Sequence, residues 1–268
     1  MSFSQGFVLG QHYPGSSPVH RSSALVKLIA TIIVMVTIFV AVNTSEYLPV
    51  ALFLLSGIMV SRIPARFFLR GIKPILFLIV LTVAVQILFT PGDSIWRFGV
   101  VRVTSQGLVL AAFITCRLVL LTLASVLLTA STSPIELTDA ISDLLKPFRY
   151  IGLPSAEIAL VMSIAMRFVP TILEETERII RAQVSRGARI GEGGLVARMR
   201  SFIPILVPLF VSSFRRADDL AIAMEARGFR VNQPRTRYHL RGFHAVDLAI
   251  LVFSLVTLGA AVLLRVWR

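Results

Sequence analysis

Long apolar runs alternate with short polar and basic interruptions along the chain, and the length of each run predicts what it forms. Residues 24–42, 72–89, 107–130 and 243–264 are apolar over roughly the 20 residues that cross a hydrocarbon core as an α-helix. YLPVALFLLSGIMVS, 47–61, is shorter and carries Pro49 and Gly57, so it reads as a short or tilted crossing or as a re-entrant element. From 132 to 242 the pattern changes, with charges set among apolar positions at helical spacing. The expected fold is an all-α integral membrane protein of about five transmembrane helices with a helical domain inserted before the last span. Its parts are a membrane domain over 1–131, the inserted domain over 132–242 and a final membrane helix within 243–268.

Three helical stretches make up the insertion. SPIELTDAISDLLKPF, 133–148, opens with a serine and proline suited to a helix start and sets Ile135, Leu137, Ile141, Leu144 and Leu145 among acids. The stretch 153–187 joins an apolar first half to a charged second half, and Pro170 is expected to kink or divide it because proline has no amide proton to donate. The stretch 201–228 repeats that plan, with Pro204 and Pro208 near its apolar start. Both are expected to lie on or just below the bilayer with their charged ends in water, one or two further crossings being the alternative.

Composition supports the membrane reading: 56% of the 268 residues are hydrophobic and 15% charged, and the mean hydropathy is +0.82. The net charge of +13 comes from 27 basic against 14 acidic side chains, with lysine only at 27, 73 and 146. Such a balance suits basic loops beside membrane spans, and no nucleic-acid recognition motif accompanies it. Arg62, Arg66, Arg70 and Lys73 cluster in SRIPARFFLRGIK, 61–73, whereas NTSE, 43–46, has no base. The positive-inside rule puts the first segment and the inserted domain in the cytoplasm, with the N-terminus inside and the C-terminus outside, although Arg265 and Arg268 oppose the last assignment. Residues 1–23 have no basic n-region of a cleaved signal and read as a mature segment on one membrane face. Lys27 is expected to stretch to the interface, and Asp247 to sit near a span edge. Arg117, inside a span, needs a polar partner, a protein-lined cavity or a route to the interface.

Within the insertion, EETERIIRAQVSRGA, 174–188, and RRADDLAIAMEARGF, 215–229, align at an offset of 41 residues. Each passes from a charged start through an apolar middle to a small residue, an arginine and a glycine: Ser185, Arg186 and Gly187 in the first, Ala226, Arg227 and Gly228 in the second. Glycine ends a helix by taking a backbone shape other residues resist, and arginine complements the terminal dipole, so either unit alone reads as an ordinary helix end. Two in matched approaches point further, to a pair of rigid, multi-donor anchors for carboxylates on a partner with two related sites.

Other chemistry is missing. There is no glycine-rich loop ending in Gly-Lys-Ser or Gly-Lys-Thr to hold a nucleotide, and GARIGEGG, 187–194, reads as a flexible turn. The pairs His12 with His20 and His239 with His244 lack the helical spacing and glutamate of a zinc protease. Cys116 is the sole cysteine and lies in an apolar run. Glu174 with Glu175 and Asp218 with Asp219 adjoin Arg178, Arg181, Arg215 and Arg216, so charge compensation along each helix accounts for them. No set of nucleophile, base and orienting group can be named.

Taken in order, GQHYPGSSPVHR at 10–21, SRIPARFFLRGIKPILF at 61–77, TSPIELTDAISDLLKPFRYIGLP at 132–154, MSIAMRFVPTILEETERIIRAQVSRGA at 162–188 and VPLFVSSFRRADDLAIAMEARGFR at 207–230 resemble the transmembrane components of energy-coupling factor transporters, the EcfT family with its CbiQ-like and BioN-like members. The resemblance covers nearly the whole chain. It implies a non-catalytic, multi-pass subunit of the bacterial or archaeal plasma membrane. Such a subunit couples two cytoplasmic ABC-type ATPases, EcfA-like and EcfA′-like, to a separate membrane-embedded S component that binds a vitamin or transition metal. It further implies that Ser185, Arg186 and Gly187, with serine in the family's alanine position, and Ala226, Arg227 and Gly228 dock into the ATPases, which carry the ATP and Mg2+; none is expected on this chain. SSALVK, 22–27, departs from the family's Asp-Pro-Arg-Thr-Lys type segment, so the family's N-terminal cytoplasmic contact is not carried over. The rival is a conventional permease that binds and moves substrate itself.

Overall fold

The computed structural model describes residues 13–98, 101–152, 154–188, 190–230 and 244–267. Ten α-helices lie among them: α1 (Pro18–Arg21), α2 (Ala24–Val40), α3 (Tyr47–Ser61), α4 (Ala65–Phe89), α5 (Ser105–Ser131), α6 (Pro134–Leu145), α7 (Ser155–Ser185), α8 (Leu195–Arg200), α9 (Ile203–Ala226) and α10 (Ala245–Val266). An antiparallel hairpin, β1 (Ser94–Phe98) and β2 (Val101–Thr104), joins α4 to α5 and was not foreseen. The described residues form two compact units, one of 13–140 with 244–267 and one of 141–230.

In the first unit, all five expected spans are helices. α4 packs along α5, α10 along α2, and both α2 and α3 against α5. Val34 and Ile38 of α2, Tyr47, Val50 and Leu54 of α3, and Leu120 and Ala124 of α5 make the central cluster. Outward faces carry large apolar side chains such as Phe77 and Phe89, each over three-quarters exposed, as a surface solvated by lipid requires. Small residues let neighbouring helices approach: a Cβ on Gly71 would lie 2.5 Å from Val126 Cγ2. The stretch 47–61 is one uninterrupted helix of 15 residues despite Pro49 and Gly57.

Lys27 sits differently from expectation, whereas Arg117 and Asp247 meet theirs. Only a tight turn at Arg62, left-handed with φ 56°, separates α3 from α4, so the basic stretch is helical from residue 65 and Arg66, Arg70 and Lys73 stand exposed on its first turns. Lys27 does not reach outward. It is buried, and Nζ donates to the Ser131 carbonyl at 2.8 Å. Arg117 finds its partners inside the protein, donating to Tyr47 Oη at 3.0 Å and the Ala41 carbonyl at 2.9 Å, with its guanidinium 4.8 Å from the Phe113 ring centre. Asp247 is fully buried, because its carboxyl group accepts the amides of His244 and Ser23.

The second unit contains the end of α6, a 3₁₀ segment over Lys146–Ile151, and α7, α8 and α9. α7 runs unbroken through Pro170, which therefore does not divide it, and α9 runs through Pro208 after starting beside Pro204. The two pack on each other, yet α7 buries only Ser155 and α9 only Ile205. By length and composition the segments Ser155–Ser185 and Leu195–Ala226 also reach membrane-span size, alongside Thr44–Ser61, α4, α5 and α10; α2 is one residue short of that length at 17. Charges on the second halves of α7 and α9 distinguish them from the spans of the first unit.

Candidate functional site

The six residues singled out by the repeat occupy equivalent places at two helix ends. Ser185 and Ala226 are the last residues of α7 and α9, and Arg186 and Arg227 are the capping residues that follow. Their backbones agree closely, with φ −87° and ψ 9° at Arg186 and φ −87° and ψ 8° at Arg227. Gly187 and Gly228 then turn left-handed at φ 84° and 75°. The closing hydrogen bonds match as well. Gly187 N donates to Val184 O and Gly228 N to Glu225 O, both at 2.9 Å, while Ala188 N reaches Gln183 O and Phe229 N reaches Met224 O, both at 3.0 Å. This is the two-bond helix ending in which a left-handed residue folds the chain back over the last turn.

The consequence is a fixed exit for each arginine. Both guanidinium-bearing side chains are exposed, and among the described residues neither makes a hydrogen bond or an ion pair within the chain. Ser185 Oγ is turned back onto the Arg181 carbonyl at 3.0 Å, so its hydroxyl proton is engaged within α7. Two outward cations on capped, rigid ends suit paired recognition of acidic groups.

α7 and α9 meet at a contact that charge compensation along single helices did not anticipate. Arg216 NH2 of α9 donates to Glu175 Oε2 of α7 at 2.9 Å, and Ser212 Oγ donates to Glu175 Oε1. The Arg216 guanidinium also lies 5.8 Å from the Phe168 ring centre. Compensation within a helix does occur at Glu177 and Arg181, 3.6 Å apart, but Glu175 and Arg216 are partners across the helix pair. Their offset was the available signal, since Glu174–Glu175 and Arg215–Arg216 fall at matching places in the aligned approaches. Beside this contact is a cleft of about 460 Å³ lined by Ile164, Phe168, Ile172, Leu220, Met224 and Phe229, among others. In the turn after α7, Gly191 N donates to Ser201 Oγ at 3.0 Å. His12 and His239 lie outside the described residues, while the His20 ring bonds Ser17 Oγ and the Tyr13 carbonyl.

Residues 15–238 match the sequence profile of the family described as Cobalt transport protein (CbiQ). The chain belongs to this family. Among its relatives, the energy-coupling factor transporter transmembrane protein EcfT of Acidaminococcus fermentans is 45% identical over 260 residues, covering 97% of this chain and 96% of the relative. The EcfT of Exiguobacterium sibiricum is 44% identical over 253 residues, covering 94% and 96%, and that of Listeria innocua 40% identical over 259 residues, covering 96% and 98%. Similarity of this extent identifies a transmembrane component of an energy-coupling factor transporter, a multi-pass membrane protein and a transport subunit. In this EcfT chain, both Arg-Gly ends fall within the matched residues, as does the contact between α7 and α9.

Proposed function

We propose that this EcfT chain is a non-catalytic scaffold of the cell membrane that converts ATP hydrolysis on two cytoplasmic ABC-type ATPases into movement of a separate S component, which carries a vitamin or a transition metal such as cobalt. The twin caps carry this reading: two helices of one unit end in the same backbone geometry and present Arg186 and Arg227 outward. A dimeric ATPase offers two related grooves, and two matched anchors bind such a partner with more reach and register than one. ATP and Mg2+ sit on the ATPases. α7 to α9 face the cytoplasm, with their apolar faces against lipid or the S component, and the spans of the first unit lie in the plasma membrane.

A second reading, a permease that binds its own substrate, needs a substrate site among the spans of the first unit. The first unit has a cleft of about 350 Å³ lined by residues of α1, α2, α3, α5 and α10. Its walls are mostly apolar, and Lys27 is turned to the Ser131 carbonyl. Such a lining suits a hydrocarbon chain better than a metal ion or a polar vitamin. Reconstitution separates the readings: uptake should require the ATPases and an S component together. The double variant Arg186→Glu with Arg227→Glu should insert normally but lose ATPase association and uptake. Normal association and uptake in that variant would sink the docking role, and full uptake without an S component would favour the permease.

A further inference from the structure

Glu175 and Arg216 are 41 residues apart, the offset that also relates Arg186 to Arg227. The polar contact between α7 and α9 therefore joins one position of the repeated approach to its own equivalent in the other copy. When two copies of an element meet at equivalent positions, a residue faces its counterpart, and identical charges there repel. The two approaches carry opposite charge at this place: Glu174–Glu175 in the first corresponds to Arg215–Arg216 in the second. The repeat has diverged in sign where its copies touch.

The same register makes the arms equal. Arg186 lies eleven positions beyond Glu175 and Arg227 eleven positions beyond Arg216, about 16 Å of helix rise on each side. Near the contact the paired helices offer aliphatic side chains, Ile164 and Ile172 on α7 and Leu220 on α9. Apolar packing is non-directional and tolerates sliding, whereas a charged, hydrogen-bonded pair favours one register. Here both carboxylate oxygens are engaged, one by Arg216 and one by Ser212, and Phe168 flanks the guanidinium. Side-chain exposures of 32% for Arg216 and 23% for Glu175 shield the pair from full solvent screening.

We infer that Glu175 and Arg216 are positioning residues that lock α7 and α9 in register midway between equal arms, so that both Arg-Gly ends keep the same reach; the consequence for transport rests on the docking role proposed for Arg186 and Arg227. The lock is read as a distance. Spin labels at Arg181→Cys and Ile222→Cys, exposed and equivalent in the repeat, are placed in a Cys116→Ala background of the full chain in lipid nanodiscs. The parent should give one narrow distance distribution. Glu175→Arg and Arg216→Glu should each broaden it or shift it by about 5 Å, one helical turn. The swap carrying both changes should restore it, because equivalent positions exchange their charges. In the complete transporter each single variant should keep its ATPases but lose uptake per ATP hydrolysed by about tenfold, and the swap should recover it. Glu175→Gln, which keeps the shape and the Ser212 partner, should fall between the parent and Glu175→Arg. An unchanged distribution in both single variants, or a swap that leaves it broad, overturns the lock. Distances that respond as expected without any change in uptake uphold the lock and overturn the docking role.

Discussion

Ser23 and Asp247, 224 residues apart, are joined by a 2.7 Å hydrogen bond from the Ser23 amide to Oδ1 of Asp247. The other carboxyl oxygen accepts the His244 amide at 2.9 Å, so one fully buried side chain caps α10 and ties its start to that of α2. Removing it takes the acceptor from two part-buried amides. Asp247→Ala should destabilise the first unit by about 1.5–3 kcal/mol, the range for hydrogen bonds to charged groups. Asp247→Asn, which keeps one strong acceptor, should cost less, as thermal unfolding in detergent will show. Equal stability of both variants to the parent would contradict this role.

Arg117 crosses between α5 and the loop ahead of α3 with two directed hydrogen bonds, to Tyr47 Oη and the Ala41 carbonyl. Tyr47→Phe removes one of these and should cost about 1 kcal/mol in a bilayer-mimetic unfolding assay. Arg117→Lys should cost more, because an ammonium cannot supply the fork that reaches both acceptors.

At Gly187 and Gly228 no atom lies within 4 Å of where a Cβ would sit, so substitution is opposed by backbone shape alone. Each Gly→Ala change should cost about 1 kcal/mol by forcing a side chain into the left-handed region. Asn, which tolerates that region, should be milder at either site. Pull-down of the ATPases should weaken in the order Asn, then Ala, with the double Ala variant weakest; indifference to all of these would detach the cap geometry from docking.

Gly71 is the opposite case, limited by space. A Cβ there would sit 2.5 Å from Val126 Cγ2, closer than packed atoms tolerate. Gly71→Ala should destabilise the α4–α5 packing by about 1–3 kcal/mol. Val126→Ala should recover part of the loss, measured as a rise in Tm of the double variant over Gly71→Ala alone.

Local pattern carried much of this architecture. Apolar run length located α2, α3, α4, α5 and α10, since a helix must satisfy its own backbone in lipid and needs nothing distant to declare itself. The small-Arg-Gly endings were equally readable, because helix termination depends on the conformational freedom of one glycine. Pro170 does not divide α7, which tolerates the lost hydrogen bond, and the β1–β2 hairpin passed unnoticed between longer signals.

Partner choice is different in kind. Residues on the same helix turn are near one another by geometry, so local compensation was a natural reading of Glu175 and Arg216, and an outward stem was natural for Lys27. Both were decided by which helix lay alongside: α9 brought Arg216 to Glu175, and the end of α5 brought the Ser131 carbonyl to Lys27. A burial pattern states that a polar group must find a partner; only the packed helices state which atom answers it, because contacts across 41, 104 or 224 residues leave no local period to read.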